Sequence, residues 1–214
     1  MEAGGINKRT LLRATGGVVT VEVITSLLAS RESSHPILIL GAARIVESLL
    51  ILLVVHVGER NLTALGLARS MVPRGLARGI TWSVGAGAAA ALVGVVLAMA
   101  GFHPLTFIRA KVARGGSELL LVFLVGGLIS PVAEELFFRG LLYSFLRRWG
   151  VPAAVLVSSL IFVLCHPGSH GLRLTQALGG ILFAVAYEVE RNLLVPITIH
   201  VLGNLAIFTL SLLS

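Results

Sequence analysis

Long apolar runs separated by short arginine-bearing breaks dominate the chain, falling near residues 14–30, 36–57, 79–100, 118–147, 152–166, 172–189 and 193–213. A stretch of about 20 apolar residues matches the hydrocarbon thickness of a bilayer, and lipid tolerates only backbone whose polar groups pair within the segment. The pattern therefore predicts an all-α fold, a polytopic bundle of about seven transmembrane helices forming one membrane domain over 1–214. The first run is the weakest: Glu22 interrupts it, and Lys8, Arg9 and Arg13 ahead of it look like the basic start of a signal peptide. No small-residue cleavage site follows, which favours a retained span. In the third run, Gly87 with Ala91 and Gly94 with Ala98 stand four apart, a spacing that predicts close helix contact there.

Composition supports the same class. Hydrophobic residues make up 56% of the 214, charged residues only 13%, and the mean hydropathy is +0.96, far from the values of soluble domains. The formal charge of +7 is carried mainly by arginines between the runs, which suits lipid headgroups and gives no sign of a nucleic-acid partner. If the runs cross alternately, Lys and Arg number ten on the N-terminal side and five on the other. The positive-inside rule then places the N-terminus in the cytoplasm. One cysteine, Cys165, excludes an intrachain disulfide.

Against this background the segment "AEELFFRG", residues 133 to 140, is anomalous, because each charge near mid-membrane costs at least about 2.5–3.5 kcal/mol. Glu135 and Arg139 are four apart and share a helix face, while Glu134 is rotated about 100° away from that pairing. Two later runs are interrupted as well. "FVLCHPGSH" ends the fifth at His166, where Pro167-Gly168 predicts a helix break, and "ITIHVLGN" sets His200 and Asn204 four apart on the last helix. Counting about 1.5 Å per residue from the cytoplasmic ends puts Glu134 at roughly 20 Å, His166 at roughly 21 Å and His200 at roughly 14 Å. All three fall near the midplane, which predicts a shared polar cavity. Arg44 and Glu47, three apart, are expected to pair as a structural seam with Glu22 and His56 beside it; His103 and His170 fall at solvated loop edges. Glu188, Glu190 and Arg191 are expected to form a cytoplasmic turn at the rim where a substrate enters.

Taken in order, Glu134-Glu135-x-x-x-Arg139, Phe162-x-x-x-His166 and His200-x-x-x-Asn204 resemble the three signature motifs of the CPBP family of intramembrane proteases, which includes the CAAX prenyl endopeptidases. The segment "LTALGLARS" at 62–70 resembles a short Leu-Gly-Leu element that precedes the core in bacterial members. The resemblance makes residues 118–213 the catalytic core and implies hydrolysis of a peptide bond near the C-terminus of a membrane-attached protein or peptide. It implies that Glu134, helped by His166, activates water and that His200 and Asn204 stabilise the oxyanion. Glu135 and Arg139 would orient the helix face, and Phe162 would pack against the site. No cofactor is implied by this route. The same Glu134, His166 and His200 are also the two-histidine, one-carboxylate set of a catalytic zinc site, so a zinc-dependent version is the alternative. A thiol route through Cys165 is disfavoured, since that side chain points about 100° from its neighbour His166. A non-catalytic class stays open too: an immunity-type membrane protein that binds a peptide in the same cavity without cleaving it. The Ala-, Gly- and Arg-rich composition suggests a bacterial inner-membrane protein, and the small size resembles the sorting-type myxosortases.

Overall fold

The computed structural model describes residues 5–29, 36–108, 110, 112, 115–166 and 170–213. Arg31, Arg109, Lys111 and Arg114 of the charge count, and Pro167 and Gly168 of the expected helix break, lie outside the described residues, as does the side chain of His170. Among the described residues there are seven long helices and no strand: α1 Lys8–Ala29, α2 Pro36–Glu59, α3 Val72–Met99, α4 Gly116–Trp149, α5 Val151–Leu164, α6 His170–Glu190 and α7 Leu194–Leu212. Five of them, α1 to α4 and α7, are long and apolar enough to cross a membrane. α5 has 14 residues, short of the about 20 that a perpendicular crossing needs, and α6 carries charged residues toward both ends. Leu49, Val84, Leu92, Leu160 and Leu178 point outward, an apolar surface suited to lipid and unlike that of a soluble protein.

The α2–α3 connection is tied to the α6–α7 turn through the Leu-Gly-Leu element. Gly66 sits at φ +73°, where a side chain is rarely tolerated, and a Cβ there would lie 3.0 Å from the Tyr187 ring and 3.2 Å from the Leu193 nitrogen. Its carbonyl accepts the Leu193 N–H at 3.1 Å, and Asn192 donates to the Met71 carbonyl at 2.9 Å. The charges expected in a turn at a substrate-entry rim, Glu188, Glu190 and Arg191, lie beside this clamp and are ion-paired. Glu188 accepts from Tyr143, Arg147 and Arg191, and Glu190 accepts from Arg78 and Trp82.

The small-residue stripe of α3 does not pack as its spacing predicts. A Cβ on Gly87 would meet nothing within 4 Å and one on Gly94 only Pro104 at 3.8 Å, whereas one on Gly75 would come within 2.5 Å of Asn192 and one on Gly79 within 2.5 Å of Thr198. α3 thus comes closest to the α6–α7 turn at Gly75 and to α7 at Gly79, while Gly87 faces open space. Small residues at four-residue spacing permit close approach but do not supply the opposing helix.

α4 is the central element, and it is not a uniform helix. Two stretches with the wide i to i+5 hydrogen-bond pattern, Val122–Ile129 and Leu136–Tyr143, flank the ordinary α-helical turn Ser130–Glu135. Each widened stretch rotates the following residues relative to a regular helix, a device concentrated at functional sites. On one side α2 packs against this turn, bringing Arg44 with it. Arg44 Nη1 holds both Glu22 at 2.7 Å and Glu47 at 2.6 Å, so the expected seam exists and includes Glu22, while His56 is exposed.

Candidate active site

Glu135 and Arg139 are both fully buried and pair at 2.8 Å, as four-residue spacing on one helix face requires. Burying an ion pair is costly unless its remaining valences are met, and here they are met in part, since Arg139 Nε and Glu135 Oε2 have no hydrogen-bond partner. Arg139 Nη2 donates to the Gly180 carbonyl at 3.0 Å, and its guanidinium lies over the Phe162 and Phe183 rings at 4.7 and 5.1 Å, where the ring faces stabilise a cation. The second partner of Glu135 is His200: Nδ1 lies 2.8 Å from the same Oε1. Glu135 therefore orients both an arginine one turn away and a histidine 65 residues on.

Glu134 faces a different group. Its Oε2 lies 3.2 Å from His166 Nε2 and 3.8 Å from His200 Nε2, and its side chain is 14% exposed against 0% for Glu135. His166 comes from the end of α5, where its Nδ1 lies 2.6 Å from the Phe162 carbonyl. The Phe162 ring, 4.3 Å from that of His166, packs as expected. Phe183 of α6 stacks on His200 at 4.6 Å and 22°. No motif in the sequence singles it out, although Gly180, Phe183 and Tyr187 mark one face of α6.

These contacts fix the ring protons. A carbonyl and a carboxylate can only accept, so Nδ1 carries the proton in both histidines. In the neutral rings both Nε2 atoms are then lone pairs aimed toward a carboxylate oxygen. The His166–Glu134 contact becomes a hydrogen bond only with one further proton, on the ring or on the acid. His200 can donate from Nε2 only when it carries two protons, with Glu135 and Glu134 as its counter-charges.

The same orientation has to be tested against a metal. Ring nitrogens fixed by a carbonyl and a carboxylate are the usual outer support of histidine ligands. Tetrahedral zinc with bonds of about 2.0–2.1 Å sets its ligand atoms about 3.3–3.4 Å apart, which the 3.2 Å between His166 and Glu134 nearly matches. The 3.8 Å between His200 and Glu134 is wider than that. Among the described residues no group of three His, Cys, Asp or Glu side chains is arranged to hold a metal ion.

Asn204 does not join this cluster directly. Its Nδ2 donates to the Gly126 carbonyl of α4 at 2.9 Å. Cys165 is exposed beside His166, with its thiol bonded to none of the site residues.

With three helices bringing a carboxylate and two oriented imidazoles together inside an apolar bundle, the comparison with known families becomes specific. Residues 116–206 match the model of the Rce1-like family, described as type II CAAX prenyl endopeptidase Rce1-like. Over that core the chain is similar to the CAAX proteases. The matched stretch contains all three motifs and four of the seven helices, α4 to α6 and most of α7. No curated protein and no solved structure matches the chain significantly. Its apolar helices are those of a multi-pass membrane protein, and its core matches the model of a protease family.

Proposed function

We propose that the chain is an intramembrane endopeptidase of the CPBP type that hydrolyses a peptide bond near the C-terminus of a membrane-attached protein or peptide, without a metal. The observation that carries this is the approach of His166 Nε2 and His200 Nε2 to the single oxygen Oε2 of Glu134. The starting state has two extra protons, one on Nε2 of His166 and one on Nε2 of His200, and the carboxylate on Glu134. Glu134 takes a proton from water, and the hydroxide adds to the carbonyl carbon. The resulting oxyanion is met by Nε2–H of doubly protonated His200 and by an Nδ2–H of Asn204, donors that act most strongly where charge develops in a water-poor site. His166 gives its proton to the leaving nitrogen as the C–N bond breaks. Transfer of the proton from Glu134 to His166 restores the site.

We further place the chain in a bacterial inner membrane with its N-terminus in the cytoplasm, on the arginine asymmetry, and take myxosortase-type C-terminal trimming as the form of the activity. Purified chain in detergent, given single-span peptides with free C-termini, should release C-terminal fragments detectable by mass spectrometry and keep doing so under a tight zinc chelator. About one zinc per chain, with activity lost on its removal, would replace this mechanism with the zinc-dependent one. Binding of the peptides without any cleavage would favour the non-catalytic class.

A further inference from the structure

The carbonyl that holds Asn204 is available because of a proline. In the widened stretch of α4, Ser130 N–H closes on the Val125 carbonyl, five residues back. In that register the next donor, residue 131, would close on the Gly126 carbonyl, but residue 131 is proline and has no N–H. The Gly126 carbonyl is instead taken by Asn204 Nδ2 at 2.9 Å. α4 and α7 are close enough for this because Gly126 and Gly127 have no side chains: a Cβ on them would come within 3.1 Å of Phe208 and 2.7 Å of Leu205. A carbonyl repels the amide oxygen and accepts only its NH2, so this contact also decides which way the Asn204 amide faces.

We propose that Pro131 is a positioning residue for the site: it leaves the Gly126 carbonyl without a helical donor, and that carbonyl holds the Asn204 amide with one N–H toward α4 and the other left for the substrate's oxygen. The second half of this statement rests on the protease reading; the coupling of Pro131 to Asn204 does not. Pro131→Ala returns an N–H to the position that can close on Gly126, and the Asn204 amide is then released.

The test is a spectrum rather than an activity. The chain labelled with 15N-asparagine in detergent micelles has four side-chain NH2 pairs, from Asn7, Asn61, Asn192 and Asn204, and Asn204→Ala assigns the last. In the unsubstituted chain the Asn204 pair should have one proton displaced downfield and protected from exchange. In Pro131→Ala that displacement should be lost and exchange should speed up by about fivefold, as expected on losing one ordinary hydrogen bond, while the Asn192 pair stays put as a check on folding. An unchanged Asn204 pair in folded Pro131→Ala overturns the proposal. Should that variant not fold, free-amide behaviour of Asn204 in the unsubstituted chain overturns it, and the protected, displaced proton supports it. Because no turnover is read, failure here is separate from failure of the protease assignment, which would show as uncleaved peptides.

Discussion

Two charged clusters lie inside the apolar bundle, one in α1 and α2 and one centred on α4, and they are built differently. In the first, Glu22 and Glu47 both grip one nitrogen of Arg44, at 2.7 and 2.6 Å. In the second, the acids of neighbouring residues are separated: Glu135 shares its Oε1 between Arg139 and His200, while Glu134 faces two ring nitrogens. Charge in a membrane is costly in either place. What distinguishes the second cluster is a carboxylate oxygen faced by two imidazole nitrogens rather than by a guanidinium. In the Arg44 cluster no histidine is hydrogen-bonded to the charges among the described residues, although Arg44 lies within electrostatic reach of Glu134 and His166.

The contrast can be broken by substitution. Within the α4 cluster, Glu134→Gln should lower turnover by roughly 10²- to 10⁴-fold, the range for loss of a general base, with thermal stability little changed. Glu135→Gln should instead cost about 3–5 kcal/mol of stability, as does removing one partner of a buried pair. Glu135→Leu combined with Arg139→Met should regain part of that stability without regaining turnover, because His200 loses its orienting acceptor. A folded, inactive Glu135→Gln beside an unfolded Glu134→Gln would invert the roles assigned here. In the α1–α2 cluster, Arg44→Met should destabilise by about 2 kcal/mol, less than the fully buried case since Glu22 reaches the surface, and turnover per folded molecule should hold. A large loss of turnover in well-folded Arg44→Met would make this cluster part of the site. The smallest effects belong to α3: Gly87→Leu should change the melting temperature little, within about 0.5 kcal/mol, whereas Gly79→Leu should destabilise clearly by driving α3 off Thr198.

Much of this architecture is legible in the sequence. The seven helices follow from apolar runs, and the Glu135–Arg139 and Arg44–Glu47 pairs follow from helical spacing. The identity and order of the three motif segments point to one cluster. The bond between Glu135 and His200 is not legible, because no periodicity relates residues 65 apart on α4 and α7. Nor is the Asn204–Gly126 contact, which depends on a local change of hydrogen-bond register in α4 that an apolar run does not signal. Pro131 in mid-run is its only mark in the sequence. The stripe around Gly87 misleads for the complementary reason: small residues suit a packed helix face and a lipid-facing one alike.

Whether Glu134 makes this bundle a protease can be read most directly from protein termini in membranes of cells carrying either the unsubstituted chain or Glu134→Gln at matched levels. A set of membrane-attached proteins should show new C-termini with the first and intact ends with the second. Identical termini in both, with the chain's biological effect preserved in Glu134→Gln, would contradict a proteolytic role for Glu134.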